Sequence, residues 1–183
     1  MGIIFAVIGN SGAGKDSVIE EVKKMFPGTI KELKIPRRVI TRAGSDTEMY
    51  EHVEKGLFQE MRASGEFILE WESYNHHYGI RREVFDWVEE GHPVMMNISR
   101  TVVKSAREMF PNMKLIFISV PLEVTAERII ERGRESYTEV LNRVVRAQDL
   151  QEYENADLVV DNVGDLQETS RKVLNFVLES IKA

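Results

Sequence analysis

The chain has 183 residues, 43% of them hydrophobic, and a formal net charge of −6, which suits one domain with a buried core and argues against general nucleic-acid binding. It contains no cysteine, which excludes disulfides, zinc–thiolate sites and a cysteine nucleophile. The apolar run at the N-terminus covers only residues 3–8, too short for a signal sequence or a membrane span, so we expect a cytoplasmic protein with neither membrane nor nucleic-acid partners.

The first predicted element is a strand over residues 3–8 that runs into a glycine-rich loop. The loop reads Gly9-Asn10-Ser11-Gly12-Ala13-Gly14-Lys15-Asp16-Ser17. Its glycines let consecutive backbone N–H groups turn towards an anion, Lys15 can reach β- and γ-phosphates, and the helix predicted over 17–26 points its positive end at the same place. We therefore predict that residues 9–17 bind nucleotide phosphates. A glycine turn that binds nothing is the alternative, and the strand and helix on either side disfavour it.

The residue after the loop lysine departs from the usual pattern. A Ser or Thr that contacts Mg²⁺ is normal there, whereas this chain has Asp16 and moves the hydroxyl to Ser17. Magnesium accepts carboxylate oxygen, directly or through water. Asp16 could instead serve only as an anion at the helix N-terminus. We favour the metal role and predict Asp16 and Ser17 as metal ligands.

Further along, apolar runs predict three more buried strands, over residues 93–98, 114–120 and 157–161. Helices are predicted over 17–26, 100–109, 122–132, 136–150 and 165–182, which gives an α/β fold of the P-loop NTPase type with a parallel, doubly wound sheet. Residues 34–88 break this rhythm with short mixed runs, and we predict an inserted acceptor-binding subdomain there. The single domain, 1–183, then consists of a core (1–33, 89–121 and 147–183), the insert and a helical lid over about 122–146.

Several arginines lie in the predicted insert. Arg38 and Arg42 are four residues apart in a strand-like stretch, so they face the same side and could contact one anion. Aromatic residues nearby could form the wall of a pocket, although packing is their commoner role. We prefer packing for Trp71, and we predict a pocket role for Tyr78, which precedes a glycine and lies close to Arg81.

A second group of arginines falls in the predicted lid. Arg132 and Arg134 flank a glycine at the end of one helix, and Arg143 lies on the next. Such a segment can close over a triphosphate, where guanidinium groups neutralise the charge that develops during phosphoryl transfer. Neighbouring glutamates could instead pair with these arginines on a solvated helix surface.

Taken together, these motifs resemble the guanylate kinase superfamily over most of the chain. The resemblance rests on the loop, the stretch Arg38-Val39-Ile40-Thr41-Arg42, Tyr78-Gly79-Ile80 and Arg132-Gly133-Arg134-Glu135. Within the superfamily, Gly14-Lys15-Asp16-Ser17, residues 71–79, Asn97-Ile98-Ser99-Arg100 and residues 132–135 are more similar to the ribose 1,5-bisphosphate phosphokinases than to the guanylate kinases.

This resemblance implies transfer of the γ-phosphoryl of ATP, with Mg²⁺, to the 1-phosphate of ribose 1,5-bisphosphate. The products would be 5-phosphoribosyl 1-diphosphate and ADP. The implied catalytic residues are Lys15, Arg132, Arg134 and Arg143. The implied acceptor-binding residues are Arg38, Arg42, Tyr50, Tyr78, Arg81, Asn97 and Arg100.

Two alternatives to this function remain open. Guanylate kinases end the strand that enters the site in Asp-x-Asp, where this chain has the more positive Asn97-Ile98-Ser99-Arg100, as a sugar with two phosphates requires. Tyr50, however, falls where guanylate kinases have a phosphate-binding tyrosine, and Glu70 lies within one position of their guanine-binding glutamate. A nucleoside monophosphate acceptor is therefore the first alternative. A non-catalytic interaction module is the second alternative, and the intact Lys15 loop disfavours it. The sequence does not indicate the oligomeric state.

Overall fold

A computed structural model describes residues 1–42, 50–131, 145 and 153–182. The helix predicted over 136–150 falls almost entirely outside this range, as do the lid arginines Arg132, Arg134 and Arg143. The fold divides into two compact units, one made of Met1–Ala6 and Pro27–Met113, the other of Val7–Phe26 and Lys114–Ala183. None of the described helices combines the length and apolar character that a membrane crossing needs.

The described elements alternate between strands and helices for most of the chain. In order they are β1 (Ile4–Gly9), α1 (Lys15–Met25), β2 (Arg38–Ile40), β3 (Tyr50–His52), α2 (Lys55–Ala63), β4 (Phe67–Ser73), β5 (His76–Arg81), α3 (Glu83–Glu89), β6 (Val94–Asn97), a 3-10 turn (Arg100–Val102), α4 (Val103–Met109), β7 (Lys114–Ser119), α5 (Leu122–Glu131), β8 (Leu158–Asp161) and α6 (Leu166–Lys182). Strands β1, β6, β7 and β8 form a parallel sheet in the order β6-β1-β7-β8. The α/β fold predicted from the buried apolar runs is confirmed.

A second sheet, of mixed direction, occupies residues 38–81 in the first unit. Its strand order is β3-β2-β5-β4, with β2 parallel to β3 and the other neighbours antiparallel. Helix α2 covers one face of this sheet, where Val39, Val53, Phe58 and Met61 form a buried cluster. Successive side chains of a strand point to opposite faces, and paired residues share a face. We call the side covered by α2 the helix face, and the side that carries Tyr50 and Tyr78 the tyrosine face.

The register of this sheet is set by a two-residue hairpin turn and a bulge. Tyr74 and Asn75 both have positive φ, 51° and 61°, the backbone of the tight turn whose twist suits a hairpin. The turn places Ser73 opposite His76 and Trp71 opposite Tyr78. Between Phe67 and Leu69 the register shifts by one residue, as a β-bulge does. Turn and bulge together decide which side chains of β4 lie on each face.

In the second unit, α1 begins directly after the glycine loop. Gly14 is the residue before the helix and has φ 80°, a left-handed conformation that favours glycine. Val18, Ile19 and Val22 form the buried stripe of α1, at the spacing expected of a helix packed on one side. Helix α6 packs against α1. The helix that follows the glycine loop is therefore packed on one side against α6.

Candidate active site

The loop between β1 and α1 has its lysine folded back over its own backbone. Lys15 Nζ donates hydrogen bonds to the carbonyl oxygens of Gly9, at 2.9 Å, and Asn10, at 2.8 Å. The backbone N–H of Ala13 donates to the Asn10 carbonyl at 3.1 Å, which closes the loop. The ammonium is thus already positioned in the loop, and a phosphate oxygen is the stronger, charged partner that it can exchange for these carbonyls.

Two loop glycines are required by close packing as well as by backbone conformation. Gly12 and Gly14 have φ values of 83° and 80°. A Cβ atom on Gly12 would lie 3.3 Å from Ile129 of α5, and one on Gly14 would lie 2.5 Å from the side-chain nitrogen of Asn162. Any larger residue at Gly14 would therefore displace Asn162 as well as strain the backbone.

Asn162 is a loop contact that sequence reasoning missed. It follows β8 and is 4% exposed. Its Nδ2 donates to the carbonyl oxygen of Ala13 at 2.8 Å, and Arg128 donates to the backbone carbonyl of Asn162 at 2.8 Å. A signal existed, because a polar residue directly after a buried strand of a parallel sheet lies at the edge where such sheets bind ligands.

The predicted metal ligands lie in the first turn of α1. Asp16 is half-buried and Ser17 is exposed. Within the described ranges, no group of three or more His, Asp or Glu side chains could hold a metal by itself. A metal here would take most of its ligands from phosphate oxygens and water, with one carboxylate from the chain. Magnesium is typically bound in this way, so the residues present fit it.

The predicted acceptor residues are divided by the mixed sheet, and four of them lie on its tyrosine face. Arg38 is opposite Tyr50, and the guanidinium of Arg42 lies over the Tyr50 ring, 5.3 Å from its centroid. Tyr78 stacks on Trp71, with centroids 5.3 Å apart and planes 5° from parallel. The face therefore combines two cations with tyrosine hydroxyls on an aromatic base, a composition suited to an anionic ligand.

Arg81 lies on the helix face instead. It forms a two-pronged ion pair with Glu51, at 2.7 and 2.9 Å, and this pairing raises the pKa of Arg81. Glu70 is on the same face and pairs with Arg62 of α2 at 2.6 Å. Glu72 is two residues further along β4 and therefore lies on the helix face as well. Within β2, β3, β4 and β5, every carboxylate is on the helix face, so these strands give the tyrosine face no negative charge.

The last two predicted acceptor residues lie at the end of β6 and just after it, in the same unit as the mixed sheet. Asn97 ends the strand and is 7% exposed, and Arg100 begins the 3-10 turn. Ser99 caps this turn, because its hydroxyl accepts a hydrogen bond from the backbone N–H of Thr101 at 3.3 Å. The turn packs against β4, so the run from Asn97 to Arg100 adjoins the strand that carries Trp71.

Comparison with known proteins shows the family of the chain. A sequence model of the guanylate kinase family matches residues 3–180. The chain is 33% identical over 176 residues to the ribose 1,5-bisphosphate phosphokinase PhnN of Rhodopseudomonas palustris, a match that covers 96% of this chain and 88% of that protein. It is 34% identical over 179 residues to the protein of the same name from Pseudomonas fluorescens, covering 94% and 93%.

A solved structure supports the fold. The crystal structure of guanylate kinase from Anaplasma phagocytophilum aligns with a TM-score of 0.73 at 21% identity, over 100% of this chain and 87% of that one. The family match spans nearly the whole chain, including the loop with Lys15 and the strands that carry the predicted acceptor residues. The chain therefore belongs to the guanylate kinase family of ATP-dependent kinases, in the branch whose members are named ribose 1,5-bisphosphate phosphokinases.

Proposed function

We propose that this kinase transfers the γ-phosphoryl of ATP to the 1-phosphate of ribose 1,5-bisphosphate, giving 5-phosphoribosyl 1-diphosphate and ADP. The observation that carries the proposal is the charge of the tyrosine face, to which β2 to β5 contribute Arg38 but no carboxylate, with Arg42 directly after β2. A sugar with two phosphates offers only anionic groups and hydroxyls, which cations and tyrosine hydroxyls bind. A guanine base would need an acceptor, such as a carboxylate, for its N–H groups.

On the donor side, the proposal assigns each loop group a task. Lys15 and the loop N–H groups bind the β- and γ-phosphates, and Asp16 and Ser17 hold Mg²⁺. When bound, Mg²⁺ neutralises phosphate charge. Lys15 exchanges its two carbonyl partners for phosphate oxygens, so its charge is available where the negative charge of the transferred group develops.

On the acceptor side, no general base is required, because a phosphate monoester is already ionised near neutral pH. Catalysis then consists of positioning and charge neutralisation. We assign the orientation of the acceptor to Arg38, Arg42, Tyr50 and Tyr78, with Asn97 and Arg100 as further contacts. We leave Arg81 out, because its ion pair with Glu51 is on the other face of the sheet.

The lid arginines remain part of the proposal on sequence grounds alone. Arg132, Arg134 and Arg143 lie outside the described residues, and we assign them to the transferred phosphoryl group because guanidinium groups stabilise such charge. Helix α5 ends at Glu131, and Arg132 is the next residue in the sequence.

A guanylate or other nucleoside monophosphate kinase is the second candidate. Tyr50 on the tyrosine face, next to Arg42, favours it, since a tyrosine and an arginine suit a single phosphate equally well. Glu70, the other residue in its favour, is on the helix face and paired with Arg62. Glu70 therefore does not support a guanine acceptor.

The test compares two acceptors with one purified enzyme. The protein is incubated with Mg-ATP and either ribose 1,5-bisphosphate or GMP, and ADP and phosphorylated product are followed by phosphorus NMR. We expect turnover with ribose 1,5-bisphosphate and formation of 5-phosphoribosyl 1-diphosphate. Turnover with GMP alone would replace the proposal with the second candidate, and a Lys15→Ala protein run in parallel excludes activity from a contaminating kinase.

A further inference from the structure

Asn162 is fixed at both ends of its backbone. Its N–H donates to the carbonyl oxygen of Ser119, at the end of β7, at 2.9 Å, and its carbonyl accepts from Arg128 of α5 at 2.8 Å. The residue is 4% exposed, so water does not compete for these bonds. A strand end and a helix therefore set the direction of its side chain.

That side chain forms a hydrogen bond with a peptide unit of the glycine loop. Nδ2 of Asn162 donates to the carbonyl oxygen of Ala13 at 2.8 Å. In a trans peptide the carbonyl and the following N–H point in opposite directions. Because the Ala13 carbonyl points towards Asn162, the N–H of Gly14 points away from Asn162. Gly14 immediately precedes α1. The backbone N–H groups at the start of a helix have no partner within the helix and suit an anion.

We infer that Asn162 is a positioning residue for nucleotide binding, and that its amide holds the Ala13–Gly14 peptide in the orientation that presents the Gly14 N–H to phosphate. Packing alone does not account for the contact. An apolar side chain of similar size would fill the space against Gly14 and leave the Ala13 carbonyl without its donor, which is costly in a buried place. Asn162 also links the loop to α5, because its backbone carbonyl accepts a hydrogen bond from Arg128.

The decisive variant is Asn162→Asp, which keeps the size of the side chain and removes its donor. Binding of Mg-ADP is measured by calorimetry, which requires no acceptor and is independent of the proposed sugar substrate. At pH 8 a carboxylate would face the Ala13 carbonyl oxygen, and we expect the Kd to rise at least about tenfold, the usual order for a lost buried hydrogen bond together with repulsion.

The pH dependence of the Kd distinguishes a positioning role from a purely structural one, because a purely structural role would not make the Kd of Asn162→Asp recover at low pH. A protonated carboxyl is again a donor. Burial raises the pKa of the introduced carboxyl group, whereas the guanidinium of Arg128 beside it lowers that pKa. We therefore expect the ratio of variant to wild-type Kd to fall as the pH is lowered from 8 to about 5. An Asn162→Ala protein has no group to protonate, so its weaker binding should show no such recovery.

The control is Asn175→Asp, the same chemical change at an exposed position of α6. It should bind Mg-ADP with the wild-type Kd at every pH. A Kd within twofold of wild type for Asn162→Asp at pH 8 would overturn the inference, and so would a weakened binding that does not recover at low pH. If Asn162→Asp does not fold, wild-type binding by Asn162→Ala would overturn it equally.

Discussion

At the scale of single residues, Lys15 carries the clearest prediction for catalysis. Its ammonium is bound to the carbonyls of Gly9 and Asn10, so Lys15→Ala removes a preorganised charge together with two hydrogen bonds to the loop backbone. We expect kcat/KM for ATP to fall by at least about 100-fold, the usual effect of deleting one donor that stabilises transition-state charge. Steady-state assays with the acceptor saturating measure it.

The control is Lys24→Ala, which removes a largely exposed lysine near the end of α1 that pairs with Glu21 on the same helix. It should retain wild-type kcat/KM. Turnover by Lys15→Ala at the wild-type level would contradict the assignment of the loop as the site of phosphoryl transfer.

Gly79 carries a prediction for stability. It lies on the helix face, where a Cβ atom would come within 2.6 Å of the Phe67 ring. Phe67 also stacks on Phe58, with centroids 4.8 Å apart, so the ring has little freedom to move. Overpacking of this kind costs about 1–3 kcal/mol, and we expect Gly79→Ala to lower the free energy of unfolding by that amount in urea titrations.

Gly56→Ala provides the matched comparison. Gly56 is in α2, and among the described residues no atom beyond its chain neighbours and its own helix backbone lies within 4 Å of a Cβ placed there. Alanine favours a helix more than glycine does, so this variant should be neutral or slightly more stable than wild type. If both alanine variants left stability unchanged, the packing of Phe67 across Gly79 would be disproved.

At the scale of elements, the mixed sheet divides the arginines by register, and this division can be tested. Arg42→Gln removes a cation from the tyrosine face, where it lies over Tyr50, and we expect the KM for the acceptor to rise at least about tenfold, since a hydrogen bond to a charged group contributes about 1.5–3 kcal/mol. Arg81→Gln removes a cation from the helix face. We expect it to affect stability while leaving the acceptor KM within twofold of wild type.

Both variants are assayed with Mg-ATP saturating, well below their unfolding temperatures. A larger acceptor KM for Arg81→Gln than for Arg42→Gln would show that the face assignment is wrong, and Arg81 would return to the acceptor-binding set that the sequence predicts.

The sequence predicts the elements whose cause is local. The apolar runs at 3–8, 93–98, 114–120 and 157–161 match β1, β6, β7 and β8 to within about a residue or two at each end, because strands buried on both faces are marked by their own composition. The glycine loop is recognised from its spacing. Helix α1 begins at Lys15, two residues before the predicted start, within the usual uncertainty of helix ends.

Features that depend on distant partners are not predicted. Strand β3 has three residues, two of them polar, and is recognisable only by its pairing with β2. Helices α2 and α3 are short and are not predicted from the residues alone. The face that Arg81 occupies is set by the pairing of β5 with β2, and its ion-pair partner is thirty residues away. Asn162 reaches a loop 149 residues earlier in the chain. The partners of these contacts lie too far apart in the sequence for a local pattern to indicate them.

At the scale of the whole molecule, the residues proposed to bind the two substrates belong to different compact units. Lys15 and Asn162 belong to the unit of Val7–Phe26 and Lys114–Ala183, whereas Arg38 and Tyr78 belong to the other. Hydrogen exchange should therefore separate the two substrates. We expect Mg-ADP alone to slow exchange in residues 9–17, and ribose 1,5-bisphosphate alone to slow it in residues 38–42 and 76–81.

Lys15→Ala should lose the protection by Mg-ADP and keep the protection by the sugar phosphate, while Arg42→Gln should show the reverse. Protection of residues 9–17 by ribose 1,5-bisphosphate alone would mean that the sugar binds in the nucleotide loop, and the proposed division of labour would fail.

The bulge between Phe67 and Leu69 has an evolutionary consequence. A shift of one residue along a strand turns every later side chain to the opposite face. One residue inserted in β4 or deleted from it would therefore carry Glu70 away from Arg62 and onto the tyrosine face, where a carboxylate could accept hydrogen bonds from a base. We expect such an insertion or deletion to change the acceptor preference while leaving every arginine and tyrosine of the tyrosine face in place, although it would also turn Trp71 away from Tyr78.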